Sequence, residues 1–173
     1  MLSTMTDIIE TIIRARAAIP STPLAFDCGS RCGAACCSAD EDGQGGVWLL
    51  PGEDALLEDV SWGHVVPAPT APMLMCDGPC DRDARPLLCR IFPLTPFVRK
   101  DGSIGVRTDA RAAAVCPLAR GGKRAMLPAF VRDVEEVVRI LMREETTRAV
   151  LEEWMRLERE YRRQARAFDA LFR

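Results

Sequence analysis

The chain has 173 residues, enough to bury a hydrophobic core without disulfides to hold it together. Apolar residues make up 48% and charged residues 28%, with a formal net charge of -2, a balance that argues against a disordered chain and against general affinity for nucleic acid. No stretch reaches the length of a membrane span, and Asp7, Glu10, Arg14 and Arg16 interrupt the opening apolar residues, where a secretory signal has an uncharged centre. The expected location is therefore the cytoplasm, where thiols stay reduced and clustered cysteines point to metal or catalysis rather than to disulfides.

In chain order, Ile8, Ile9, Ile12 and Ile13 fall at helical spacing and predict a short amphipathic helix over 6–19, with Thr6 as its cap and Pro20 as its stop. Residues 27–46 are rich in Cys, Gly, Asp and Ser and read as an irregular loop that holds cysteines. Val47 to Leu50 reads as a short buried strand. Pro51, Gly52, Glu53 and Asp54 suit a helix N-terminus and predict a short helix to about Val60. Pro67, Pro69 and Pro72 make 65–72 an extended connector.

Asp101-Gly102 between Phe97–Lys100 and Ser103–Arg107 predicts an antiparallel hairpin with both turn positions at positive φ. Beyond Gly122 apolar residues recur every three or four positions from Leu127 to Leu141 and again from Val150 to Phe168, predicting two helices with a break at Thr146-Thr147. Acids and bases interleave over 123–173, as on a solvated helix face. The expected architecture is an α-rich α+β fold: an irregular cysteine-rich centre with short strands and a hairpin, flanked by N- and C-terminal helices. Residues 1–122 would form the cysteine-bearing domain with its N-terminal helix, and residues 123–173 would be helices packing on it or offering an apolar stripe to a protein partner.

The chemistry lies in Cys28-x3-Cys32-x3-Cys36-Cys37, Cys76-x3-Cys80-x8-Cys89 and a later Cys116-Pro117. Thiolates are soft ligands for zinc, copper(I) and iron-sulfur clusters, and four close a tetrahedral site, so eight could fill two. The neighbours Cys36 and Cys37 point in different directions in either regular conformation, which argues against equal service to one ion. Gly29, Gly33 and Gly78 allow tight turns that bring amides toward sulfur. Arg31, Arg82, Arg85 and Arg90 bring positive charge that lowers thiol pKa values and offsets thiolate charge. Glu53 could complete an oxygen-containing site or simply stabilise a helix N-terminus. His64, the single histidine, is not at ligand spacing from any cysteine and reads as a satisfied loop residue.

The run Cys80-Asp81-Arg82-Asp83-Ala84-Arg85-Pro86-Leu87-Leu88-Cys89-Arg90-Ile91-Phe92-Pro93, with the double-cysteine loop before it and Cys116-Pro117 after it, resembles the YkgJ-like cysteine-cluster family. That family has a CxxCxxCC-type motif and is described as chelating zinc or iron. The resemblance covers about 26–118, includes Trp48-Leu49-Leu50 and Glu53, and leaves the C-terminal helices out. It departs in the first loop, which has three residues between cysteines where the family has two. It implies Cys28, Cys32, Cys36, Cys37, Cys76, Cys80, Cys89 and Cys116 as metal ligands, Arg85 and Arg90 as groups supporting them, and zinc or iron, an iron-sulfur cluster included, as cofactor. The expected function is metal chelation, storage, sensing or a structural metal, with the metal ion as partner. The alternative is a metal- or thiol-dependent enzyme doing redox or group-transfer chemistry, disfavoured because no Cys-x2-Cys redox pair or Gly-x-Ser-x-Gly elbow is present.

Overall fold

Helix α1, Met5–Ala17, starts on a capping box rather than on Thr6: Thr4 Oγ1 accepts the Asp7 amide at 3.2 Å while Asp7 accepts the Thr4 amide at 2.9 Å. It buries Ile8, Ile12 and Ala15 and leaves Ile13 exposed. The computed structural model describes residues 4–37, 46–57, 60–77, 80 and 83–171; Gly78 and Arg82 lie outside them. With 53% helix, 14% strand and two small antiparallel sheets, the fold is a helix-rich α+β one with helices at both ends.

After the single-turn helix α2, Gly29–Cys32, the chain enters a three-stranded antiparallel sheet in the order β1-β3-β2, with β1 at Gly46–Trp48, β2 at Gly63–Val66 and β3 at Met73–Cys76. Trp48 pairs with Met73, and Gly63 pairs with Cys76. The first two residues of the expected proline-rich connector, Val65 and Val66, are thus the end of an edge strand, because its prolines begin only after Val66. The helix expected to reach Val60 is instead one 3-10 turn, Asp54–Leu56. Gly52, at φ +81, takes the chain through a turn first, and Leu57 leaves helical geometry at φ -125. Residues 58 and 59 of that expectation are outside the described ones.

The short helix α3, Leu87–Ile91, leads through the cis Phe92-Pro93 bond into the hairpin of β4, Leu94–Val98, and β5, Ile104–Thr108. Its turn differs from the expected two-residue type. Arg99 O accepts the Gly102 amide at 3.0 Å, Arg99 N donates to Ser103 O at 2.8 Å, and Gly102 alone takes positive φ, as in a three-residue loop closed by a glycine bulge. Asp101 stays outside that region, and its carboxylate accepts the Ser103 amide at 3.0 Å.

A 3-10 turn at Arg111–Ala114 and the short helix α4, Pro117–Gly121, precede the two long helices α5, Pro128–Leu141, and α6, Glu145–Leu171. The break falls at 142–144, just before the expected Thr146-Thr147. There Glu144 accepts the amides of Thr146 at 2.9 Å and Thr147 at 2.6 Å, while the Thr147 hydroxyl donates to Leu141 O at 2.6 Å. Phe130, Val134, Val137, Val138 and Leu141 of α5 and Val150, Leu151 and Trp154 of α6 share one buried cluster with Ile12, Leu50, Leu87, Ile91, Leu94 and Val106. The first half of the C-terminal stripe is therefore core, whereas Tyr161 and Leu171 are exposed. No helix among the described residues is long and apolar enough to cross a membrane.

Candidate metal centre

All eight cysteines are free thiols, and three separate segments bring them to the same side of this core. In the first, Asp27 Oδ1 accepts the Gly29 amide at 2.7 Å and starts the α2 turn, with Cys28 at its head and Cys32 at its end. Gly33 at φ +63 and Ala34 at φ +55 then reverse the chain into a 3-10 turn that carries Cys36 and Cys37. A left-handed alanine costs about 1–2 kcal/mol, so the loop is held against its own backbone preference. In the second, Cys76 ends β3 and Cys89 rides on α3, with Cys80 between them. In the third, Cys116 heads α4 and packs between Ala112 and Ala119.

The cysteines meet at two adjoining cavities. One, of about 340 Å³, is lined by Cys36, Cys37, Cys76, Cys80 and Cys89 together with all three tryptophans, Trp48, Trp62 and Trp154. The other, of about 530 Å³, is lined by Cys28, Cys32, Cys36, Cys37, Cys76, Cys80 and Cys116. Arg85 lines both and donates from Nε to Cys80 Sγ at 3.2 Å. Contrary to the expectation of diverging side chains, the Cys36 and Cys37 sulfurs are 3.9 Å apart, because the 3-10 turn brings them to one side. Two sulfurs on a tetrahedral zinc at about 2.3 Å stand about 3.8 Å apart, so this pair has the edge length of such a site. Among the described residues, no three His, Cys, Asp or Glu side chains are close enough as they stand to hold one ion.

The electrostatics differ from thiol to thiol. A hydrogen bond from Cys36 lowers the Cys37 pKa to about 6 against the opposing effect of burial, with Arg85 and a bond to Cys80 helping. Cys36 correspondingly keeps its proton: donating to Cys37 raises its pKa, and burial adds to the rise. Cys28, Cys76 and Cys89 are each pushed up, by burial first, with Arg85 opposing. Cys89 retains partial solvent access as a residue, but its sulfur is closely surrounded and the burial effect dominates.

What aims Arg85 is a half-buried lattice of guanidinium–carbonyl bonds that rests on the buried Glu53. The Arg85 carbonyl accepts Arg16 at 3.0 Å and Arg90 at 3.0 Å, and the neighbouring Asp83 carbonyl accepts the same two guanidiniums at 2.7 and 2.5 Å. Arg16 in turn meets Glu53 Oε1 at 3.4 Å. Glu53 is fully buried and accepts the Leu87 amide at 2.6 Å and the Leu50 amide at 3.2 Å. Burial raises its pKa against these bonds and the charge of Arg16.

Glu53 lines neither cavity; it joins α1, the end of β1 and the first turn of α3. It does stabilise a helix N-terminus, though that of α3 rather than of its own segment. Arg90 clamps backbone rather than facing sulfur, and Arg31 lines the larger cavity and lies over Phe26. His64 is an exposed residue of β2 bonded to Asp77 at 3.0 Å.

Two participants carried no readable signal. Arg16 looks like an ordinary basic residue in the last turn of a helix, yet reaches 69 positions along the chain. Asp109, which lines the smaller cavity, is buried under Arg111 at 2.6 Å and the Trp154 indole at 3.2 Å.

The fold and the site together define a helix-rich α+β chain whose eight thiols gather around one arginine beside an apolar, tryptophan-lined cavity. Compared with protein-family models, curated proteins and solved structures, the chain finds no match.

Proposed function

We propose that this is a thiolate metal-binding protein, taking zinc or iron, an iron-sulfur centre included, in the cysteine-lined cavities. The observation that carries the reading is that eight cysteines from three distant segments converge around Arg85 while none is disulfide-bonded. The donors are soft sulfurs, and one pair already has tetrahedral edge spacing.

The thiols that act on each buried cysteine fall into two sets. Cys37 and Cys80 act on Cys76 and Cys89, whereas Cys32 and Cys116 act on Cys28, and Cys36 feels both Cys28 and Cys89. The first four would hold one ion or cluster, and the second group with Cys36 another. Arg85 would offset thiolate charge and donate to sulfur, while the tryptophan-lined wall would limit water. The metal itself would supply cross-linking of the three segments. The resemblance of residues 80–93 to the YkgJ-like family agrees with this reading, and a reducing compartment would keep the thiols available for metal.

A second reading, thiol chemistry, rests on the Cys37 thiolate beside the 340 Å³ cavity. The test is elemental analysis with an absorption spectrum on protein purified without oxygen, alongside Cys80→Ser and Cys32→Ser variants. Stoichiometric zinc with no visible absorption, or iron and sulfide with a broad visible band, supports the metal reading, each variant losing part of the metal. Metal-free protein in every preparation overturns it and leaves the thiol reading.

A further inference from the structure

Outside the two cysteine-lined cavities, five arginines line a pocket of about 260 Å³ where β5 meets α6: Arg107, Arg159, Arg162, Arg163 and Arg166. The α6 spacing of three, four and seven residues puts four of them on one helical face, and Arg107 joins from the strand. Several other guanidiniums on α5 and α6 are neutralised locally, as Arg156 is by Glu153 at 2.7 Å and Glu160 at 2.9 Å. Arg148 is similarly placed near Glu152 and Arg139 near Glu136.

The pocket departs from that rule. One fully buried carboxylate, Glu158, pairs with both Arg107 and Arg162, and Arg162 also donates to Thr108 O. Arg159, Arg163 and Arg166 make no ion pair or hydrogen bond among the described residues. Five positive charges therefore share one negative charge over about 10 Å of helix. Crowding like charges is unfavourable, yet Arg107 and Arg162 are held in place by a carboxylate buried beneath them, so two of the five charges are preorganised. The Arg107 Nε is also buried without a partner.

Planar guanidinium forks match phosphate oxygens bidentately, and several converging in one concavity suit an anion of multiple charge. The positive surface is bounded: toward the start of α6, Arg156 is already neutralised, and Asp169 follows Arg166. A bounded pocket favours a compact ligand over a polymer that needs a continuing basic track. We propose that this pocket binds a compact, multiply charged short-chain oligophosphate anion, independently of any metal at the cysteines.

The experiment is calorimetric titration of the full chain with sodium tripolyphosphate at about 0.15 M salt, where exposed charges are screened beyond about 8 Å. The expected result is saturable binding below about 1 mM. The doubly substituted Arg163→Ala/Arg166→Ala protein, altered only at exposed positions, should bind at least about tenfold more weakly, and Arg156→Ala should bind as the parent does. Absence of saturable heat, or equal affinity in the double variant, overturns the proposal. So does tighter binding of a single-stranded oligonucleotide that the double variant also loses, which would make the ligand a nucleic-acid backbone.

Discussion

The core side and the cysteine side of this protein are stabilised differently. Around Phe130, Ile12, Leu141 and Leu151 apolar side chains are fully buried and the elements are long helices and a regular hairpin. Around Arg85 the elements are single turns, a left-handed Gly33-Ala34 pair and the end of strand β3, positioned by a few hydrogen bonds that trace back to Glu53. Periodic burial holds the first region by itself, whereas the second is prepared from below and left with thiols unsatisfied at the top. A metal shared among those thiols would do for the cysteine side what apolar area does for the core.

The contrast can be broken first in the core. Phe130→Ala should cost about 3–5 kcal/mol, because it empties a fully buried aromatic site between α1 and the hairpin; chemical denaturation checks this, and metal content of the surviving folded fraction should be unchanged.

Glu53→Gln cuts at the junction. The amide keeps one acceptor, so one of the Leu50 and Leu87 amides loses its partner along with the charge facing Arg16, for a loss of about 1–3 kcal/mol. Unlike Phe130→Ala, it should also increase alkylation of Cys80 at low denaturant, read by mass spectrometry, because Arg85 is released with its backbone.

On the cysteine side alone, reduced metal-free protein should show Cys37 alkylation by iodoacetamide that falls off as pH drops through about 6. Its folded pKa lies below the ordinary thiol value, so the stabilisation from its ionised form is complete above that ordinary value and is lost as pH falls through about 6. Cys36→Ala should move the midpoint upward by removing the hydrogen bond that acts most strongly on Cys37; an unchanged midpoint would show that Arg85 dominates instead.

The smallest expected effect is Ala34→Gly, which relieves a left-handed alanine and should stabilise the metal-free protein by about 1 kcal/mol in denaturant melts.

The same division explains what the sequence made legible. Helices α1, α5 and α6 and the β4–β5 hairpin announce themselves through period and turn residues, because tertiary packing there agrees with local preference. Strand β3 did not, since Met73-Leu74-Met75-Cys76 has no β-branched residue and becomes a strand only by pairing with β1 on one side and β2 on the other. The helix expected after Glu53 failed for the same kind of reason: Gly52 and Glu53 are committed to a turn and to a distant helix. The cysteines and Arg85 stand out by residue type, but the Glu53–Arg16–Arg90 support beneath them is made of contacts between residues far apart in sequence, which no local pattern encodes.

The most direct test of the metal reading counts thiols. Protein isolated without oxygen is titrated with a chromogenic disulfide reagent before and after a chelator, while a metal indicator follows release. The account predicts that about four or more thiols are unreactive in native protein and become reactive in step with stoichiometric metal release. Rapid reaction of all eight thiols with no metal released would contradict it.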